Sequence, residues 1–214
     1  MTWGPDDWSW WAGSERKECL TVPAPFDFVH QILSNLPGRL GKTIAHLGSA
    51  DAATLQFLAS NFARVIAIHD TSPGLSRTRH ACAELGIEFR RRALGDLGSS
   101  GDRFDVLLAV DALARAEIVG LDAIVAQTRS SLVEGGLLLA TFPAAPHAPV
   151  AYEMRLRDTE GRRPSPRLHE IELQYRLRRA GYRGVRIRRL RETAEPGAAG
   201  QESLLCMAVR RANN

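Results

Sequence analysis

The chain has 214 residues, 44% of them apolar and 24% charged, with a formal net charge of +4. This is ordinary globular usage, which excludes a disordered chain, and no unbroken apolar run reaches the roughly 18 residues of a membrane span. Three scattered cysteines (Cys19, Cys82, Cys206), with no CxxC pair and no histidine cluster at zinc spacing, exclude a disulfide framework and a zinc module.

The N-terminal residues, MTWGPDDWSWW, are acidic and aromatic. That is unlike a signal or transit peptide, so a cytoplasmic location is expected. Residues 1–26 hold all four tryptophans (Trp3, Trp8, Trp10, Trp11) and read as a capping segment on a domain spanning 27–214. Asp27–Leu36 is apolar at Phe28, Ile32, Leu33 and Leu36, which predicts a short helix stopped by Pro37-Gly38. Strand-like and helical patterns then alternate. Strands are predicted at Thr43–Leu47, Val65–Ile68, Glu88–Ala93, Phe104–Val110 and Leu137–Phe142. Helices are predicted at Ala53–Phe62, Pro73–Leu85 and Leu121–Leu132, the last closed by Gly135-Gly136.

Strands apolar on both faces and separated by helices imply a parallel sheet covered on both sides. The ending differs. A helix over Arg167–Ala180 stops at Gly181, and strands at Tyr182–Leu190 and Ser203–Val209 follow with no helix between them. Such strands must pair antiparallel. The expected fold is therefore a Rossmann-like three-layer αβα sandwich, with a mostly parallel seven-stranded sheet and a C-terminal antiparallel hairpin.

In such a sheet, ligands bind beyond the C-terminal ends of the strands, where strand order reverses. The first of the alternating strands runs into His46-Leu47-Gly48-Ser49-Ala50-Asp51-Ala52, small residues that let the backbone turn tightly beside a ligand. Asp70 closes the next strand, 22 residues beyond Gly48, where an acid can accept both hydroxyls of a ribose. Asp96 follows the third and could receive an adenine amino group. Val110 and Asp111 follow the fourth, and His147 lies just past the fifth.

The order Ile44–Ala52, Ala67–Asp70, Gly95-Asp96-Leu97, Phe104–Leu108 and Leu132–Leu138 resembles the class I S-adenosylmethionine-dependent methyltransferases over nearly the whole domain. The resemblance implies S-adenosylmethionine as cofactor, held by His46, Gly48, Ala50, Asp70, Asp96 and Val110, and a small-molecule methyl acceptor. The sequence departs from that family at the loop. His46 stands where an acid is usual, and Ala50 and Ala52 replace two glycines. A second expectation therefore stands beside the first: a non-catalytic scaffold that has lost the cofactor and binds a partner protein. For either, the expected protein contact is a homodimer or a partner protein. A hydride-transferring dehydrogenase fits less well, because its GxGxxG fingerprint is met only at Gly48.

Methyl transfer is an in-line displacement that needs a positioned acceptor and at most a general base. Asp111 could orient an acceptor or cap the following helix. His147 could take a proton near neutral pH or stand idle in its proline-rich loop. No metal site is expected. Lys17 and Lys42 are the only lysines, so arginine supplies nearly all of the 28 basic residues, which points to a GC-rich bacterial genome. Thirteen arginines crowd Arg155–Arg191, interleaved with acids such as Glu170 and Glu172. This pattern predicts a solvated face and not a nucleic-acid or membrane surface.

Overall fold

The computed structural model describes residues 20–22, 25–48, 52–69, 78–80, 82–110, 112–113, 118–144, 168–192 and 202–211. The strands are β1 (Leu20–Val22), β2 (Thr43–Leu47), β3 (Arg64–His69), β4 (Glu88–Arg91), β5 (Phe104–Ala109), β6 (Leu132–Pro143), β7 (Tyr182–Glu192) and β8 (Glu202–Arg210). The helices are α1 (Pro25–Ser34), α2 (Ala52–Asn61), α3 (Ile118–Ser131) and α4 (Glu170–Arg179).

All the described strands join one sheet in the order β1-β7-β8-β6-β5-β2-β3-β4. The strands β2 to β6 pair in parallel, and β8 lies antiparallel between β6 and β7. The seven expected strands are thus present, mostly parallel with an antiparallel ending. An eighth strand, β1, adds three residues in parallel to the outer end of β7 (Leu20 beside Leu190). It comes from the stretch read as part of the capping segment; the tryptophans themselves lie outside the described residues.

Alternation along the strands builds two cores. Ile44, Val65, Val106, Leu108, Leu137 and Leu139 face α1 and α2, where Val29, Ile32, Leu33, Leu55 and Leu58 meet them. Ala45, Leu47, Ile66, Ile68, Leu107, Leu138 and Ala140 face Leu121 and Val125 of α3 and Leu173 and Leu177 of α4. A strand buried on both faces needs this continuous apolar run, which is why β5 and β6 are legible in sequence.

Two expectations need correcting. Gly135-Gly136 does not close a helix. The α3 helix ends at Ser131 and β6 begins at once, with Leu132 beside Phe104, before three surplus residues bulge out and Leu137 meets Val106. Gly135 turns the bulge with φ 75°, and a side chain on Gly136 would strike the carbonyls of Val133, Phe104 and Asp105. Of the helix expected over Pro73–Leu85, residues 73–77 and 81 lie outside the described residues; Thr78–His80 are helical, and residues 82–86 already form turns. By contrast, Gly181 ends α4 as expected, with φ 89° and its N–H donated to the carbonyl of Arg178.

Candidate functional site

From β2, the chain moves outward through β3 and β4, then crosses back to continue as β5 and β6 on the other side. The reversal leaves a crevice beyond the C-terminal ends of β2 and β5. Gly48 stands on one wall and the Val110–Ala112 turn on the other. Gly48 has φ 91°, and its N–H donates to the carbonyl of Ile68 at 2.9 Å, which binds the loop to β3. A Cβ on Gly48 would come within 2.9 Å of the Ala112 methyl. Ala112 in turn donates its N–H to the Val110 carbonyl at 2.7 Å, closing a tight turn that holds it there. The two walls therefore touch at the base of the crevice, and only glycine fits on the β2 side.

The sequence-predicted cofactor residues that are described fall into three groups. Gly48 and Val110 meet at this crevice, with the Val110 side chain partly buried against the α1 and α2 core. His46 lies one turn of the pleat below Gly48 and is 0% exposed, a floor residue and not a contact at the surface. Asp96 sits on a 3₁₀ turn, Leu94–Ser100, after β4, with its side chain in solvent. The turn is anchored on both sides: Leu97 is buried under it, and the Gly98 N–H donates to Gln127 Oε1 of α3 at 2.8 Å. Ala50, Asp70, Asp111 and His147 lie outside the described residues.

Some neighbours were not anticipated. His69, the last residue of β3, is 2% exposed. It shares with His46 the sheet face toward α1 and α2, because His46 lies beside Ala67, two residues before it. The sequence carried a signal for this: His69 ends β3 and His46 is the last residue but one of β2, and both strands run toward the crevice. Ala112 was missed, since nothing in the sequence announces that a methyl group fills the space beside Gly48. The third loop position, Ala52, is the first helical residue of α2 and is exposed, so an alanine is at home there. Asp105, part of the resembling motif, lies at the opposite edge. It accepts from Lys42 Nζ and the Thr43 N–H, both at 2.9 Å, and ties β5 to β2.

At the end of the sheet where β6 terminates, the crevice end, charges hold β7, β8 and α4 together. Arg189, only 6% exposed, donates to Glu170 Oε1 (3.2 Å) and Glu202 Oε2 (2.9 Å). The Arg191 guanidinium, and then that of Arg189, hold the Glu202 carboxyl below its ordinary range. Beside them, the Ala144 N–H donates to the Glu202 carbonyl and the Leu168 N–H to the Pro143 carbonyl, pinning residues 144 and 168 side by side. The expectation of a solvated arginine face therefore fails at Arg189, which is buried because two glutamates neutralise it. Among the described residues, no group of three or more His, Cys, Asp or Glu gathers as a metal site, and no helix is long and apolar enough to cross a membrane.

No protein-family model matches the chain, and no curated protein does. Solved structures do. A chain of the complex between the Haloferax volcanii Trm112 methyltransferase activator and a methyltransferase is similar over 98% of both chains, at 15% identity and a TM-score of 0.71. Magnesium protoporphyrin IX methyltransferase (ChlM) from Synechocystis, with bound SAH, is similar over 86% of this chain and 81% of its own, at 17% identity and a TM-score of 0.64. The CurJ carbon methyltransferase matches 86% of this chain at 16% identity and a TM-score of 0.62, and this chain spans 54% of it.

The chain has the class I methyltransferase fold.

Within that fold, the crevice above Gly48 and Ala112 is the place to test for S-adenosylmethionine. There Gly48 presents backbone without a side chain, and Asp96 holds its carboxylate in solvent. The floor does not match the family pattern, because His46 presents an imidazole where a carboxylate is usual.

Proposed function

We propose that this protein transfers a methyl group from S-adenosylmethionine to a small-molecule acceptor. The observation that carries the reading is the position of Gly48, at φ 91° on the β2 wall of the crevice where strand order reverses. The SAH-bound structures of similar fold support the choice of cofactor. In this reading Gly48 lets the backbone pass close to the ligand, Asp70 accepts the ribose hydroxyls, and Asp96 receives the adenine amino group. Ala50 and Val110 line the adenosine, and His46 supports the loop from below. When bound, S-adenosylmethionine supplies an electrophilic methyl on a sulfonium. The protein's part is to orient the acceptor and keep water out, with Asp111 and His147 proposed to position it and take its proton. Residues 1–26 act as a cap on the 27–214 domain.

A second reading is favoured by one observation. Gly48 is already accounted for by contacts within the chain: its N–H serves Ile68, and Ala112 occupies its side-chain space. A scaffold that binds a partner protein and no cofactor would keep this glycine too. Calorimetry with S-adenosylmethionine and S-adenosylhomocysteine separates the readings. Saturable binding at one site is expected. Silence at millimolar ligand, in a sample shown to be folded, would replace the enzyme with the scaffold.

A further inference from the structure

Opposite the crevice, the sheet has a second end, where β5, β6 and β7 begin and β8, α3 and α4 finish. Its two halves treat charge differently. On the half that carries β2, β3 and β4, bases are matched with carboxylates: Lys42 with Asp105, Arg64 with Glu88 and Arg90 with Asp102. On the other half they are not. Arg103 precedes β5, Arg183 is the second residue of β7, Arg210 and Arg211 end β8, and Arg178 and Arg179 close α4. None of these is in an ion pair among the described residues. The fold gathers them. Tyr182 lies beside Arg210, and the Arg211 N–H donates to the Gly181 carbonyl at 3.2 Å, so the ends of β8 and α4 meet. Arg129, in the last turn of α3, is packed over Gly181, where a Cβ would come within 2.7 Å of its Nε. Arg210 donates from Nη1 to the Leu132 carbonyl, and Leu132 lies beside Phe104, the neighbour of Arg103. Burial first, then the charges of Arg129 and Arg103, lower the Arg210 guanidinium from its ordinary value, although Glu134 in the β6 bulge opposes them. Helix dipoles favour cations in the last turns of α3 and α4, which accounts for Arg129, Arg178 and Arg179. They do not account for Arg103, Arg183, Arg210 and Arg211, which belong to no helix.

Like charges collected without counter-charges repel, and a bound polyanion relieves them. We propose that this end of the sheet binds the phosphate backbone of a nucleic acid. Neighbouring strands lie about 4.8 Å apart, so from β7 to β5 the arginines span roughly 14 Å, too wide for one phosphate and suited to several in a row. The guanidinium fork matches phosphate oxygens two at a time. A membrane surface would call for apolar anchors beside the charge. Of the exposed large apolar residues, Leu40 lies before β2 and Ile171 at the crevice end of α4, which leaves Tyr175 without a second anchor. Contacts made to the backbone carry no sequence preference and weaken steeply with salt. Only Arg178, Arg179 and Arg183 belong to the arginine-rich stretch that reads as a solvated face in sequence; the topology brings the others to them. This end is remote from the crevice along the strands, and its charge is the same whether the crevice holds S-adenosylmethionine or nothing.

Fluorescence anisotropy with a labelled duplex of about 20 base pairs and arbitrary sequence, titrated between about 50 and 200 mM salt, reads the site. Micromolar binding is expected at the lower salt, with a log–log salt slope of about −4 to −5, as four to six neutralised phosphates give. Arg178→Gln with Arg211→Gln changes two exposed side chains, and should make that slope shallower by about 2 while leaving the melting temperature unchanged. Arg79→Gln with Arg91→Gln removes the same charge from exposed positions elsewhere, and should leave slope and affinity as in the parent. No binding at the lower salt overturns the proposal. So does an equal loss in both double variants, which would make net charge the cause. Preferential capture by phosphatidylserine vesicles, or by polyglutamate, in competition with the duplex overturns it as well.

Discussion

At the scale of single residues, Gly48 bears the sharpest test. Its φ of 91° strains any other residue, and an added Cβ meets the Ala112 methyl at 2.9 Å. Gly48→Ala should therefore cost about 1–3 kcal/mol of stability, seen in urea unfolding. If Gly48→Ala unfolds like the parent, the crevice walls are looser than they stand. The acids are expected to behave in the opposite way. Asp96 is in solvent, so Asp96→Asn should leave the melting temperature within about a degree and weaken S-adenosylhomocysteine binding, since a hydrogen bond to a charged acceptor contributes roughly 1.5–3 kcal/mol. Asp70→Ala should do the same more strongly. Unchanged calorimetric affinity in both would remove the nucleoside from this edge of the sheet. Elsewhere, Tyr182 and Thr128 share a buried hydroxyl contact of 3.0 Å, and burial pushes the Tyr182 phenol upward, so this residue stays neutral and packs β7 on α3.

At the scale of elements, the charged clamps govern the response to acid. Arg191 and Arg189 depress Glu202, Arg64 and then Arg90 depress Glu88, and Arg90, Ser100 and Arg92 hold Asp102 well below the carboxylate range. Each group binds its proton less readily folded than unfolded. Their contribution is thus complete above the unfolded carboxylate values near pH 4 and drains away as pH falls through the folded ones. The melting temperature should hold from neutrality to about pH 5 and then decline steadily, and Arg189→Met should flatten the decline. An acid profile identical in Arg189→Met would show that the clamp at α4, β7 and β8 carries none of it. These elements also show what sequence can reveal. The strands β2, β5 and β6 were legible because burial on both faces demands unbroken apolar runs. The three residues of β1 were not, because a segment that short has no period to read. Gly135-Gly136 misled because a glycine pair after a helical pattern signals a stop, whereas here it serves a bulge set by the pairing with β5. Arg189 reads like every other arginine on β7; its burial depends on Glu170 and Glu202, which sequence does not place beside it.

At the scale of the whole molecule, the order of patterns specified the fold, while the site is legible only at its outline. That Gly48 follows β2 and Asp96 follows β4 could be read from the alternation of patterns, and a doubly wound sheet binds ligands where the chain reverses. The contact of Gly48 with Ala112 and the depth of His46 and His69 depend on how neighbouring loops and strands pack, which spacing does not encode. Ligand linkage tests the assembled site. At 100 times its dissociation constant, S-adenosylhomocysteine should stabilise by about 2.7 kcal/mol, a rise of roughly 5–10 °C in melting temperature for a domain of this size. A flat melting curve across that titration would favour the scaffold.

The placement of β8 has a consequence for how this protein comes into being. Every other described strand is made earlier, yet β8 is an inner strand, wedged between β6 and β7 and pairing Leu137 with Val209 across roughly 70 residues of chain. While the chain is still emerging from the ribosome, β6 can pair with β5 on one side only, and its run Leu137-Leu138-Leu139-Ala140-Thr141-Phe142 presents a bare apolar edge on the other. Such an edge invites pairing with other nascent chains. A chain stopped before Glu202 should accordingly collect in the insoluble fraction, and supplying residues 202–214 as a separate peptide during refolding should recover soluble protein. Birth order and position in the sheet run opposite ways here, and the last of the described strands to be made is the one that licenses the rest.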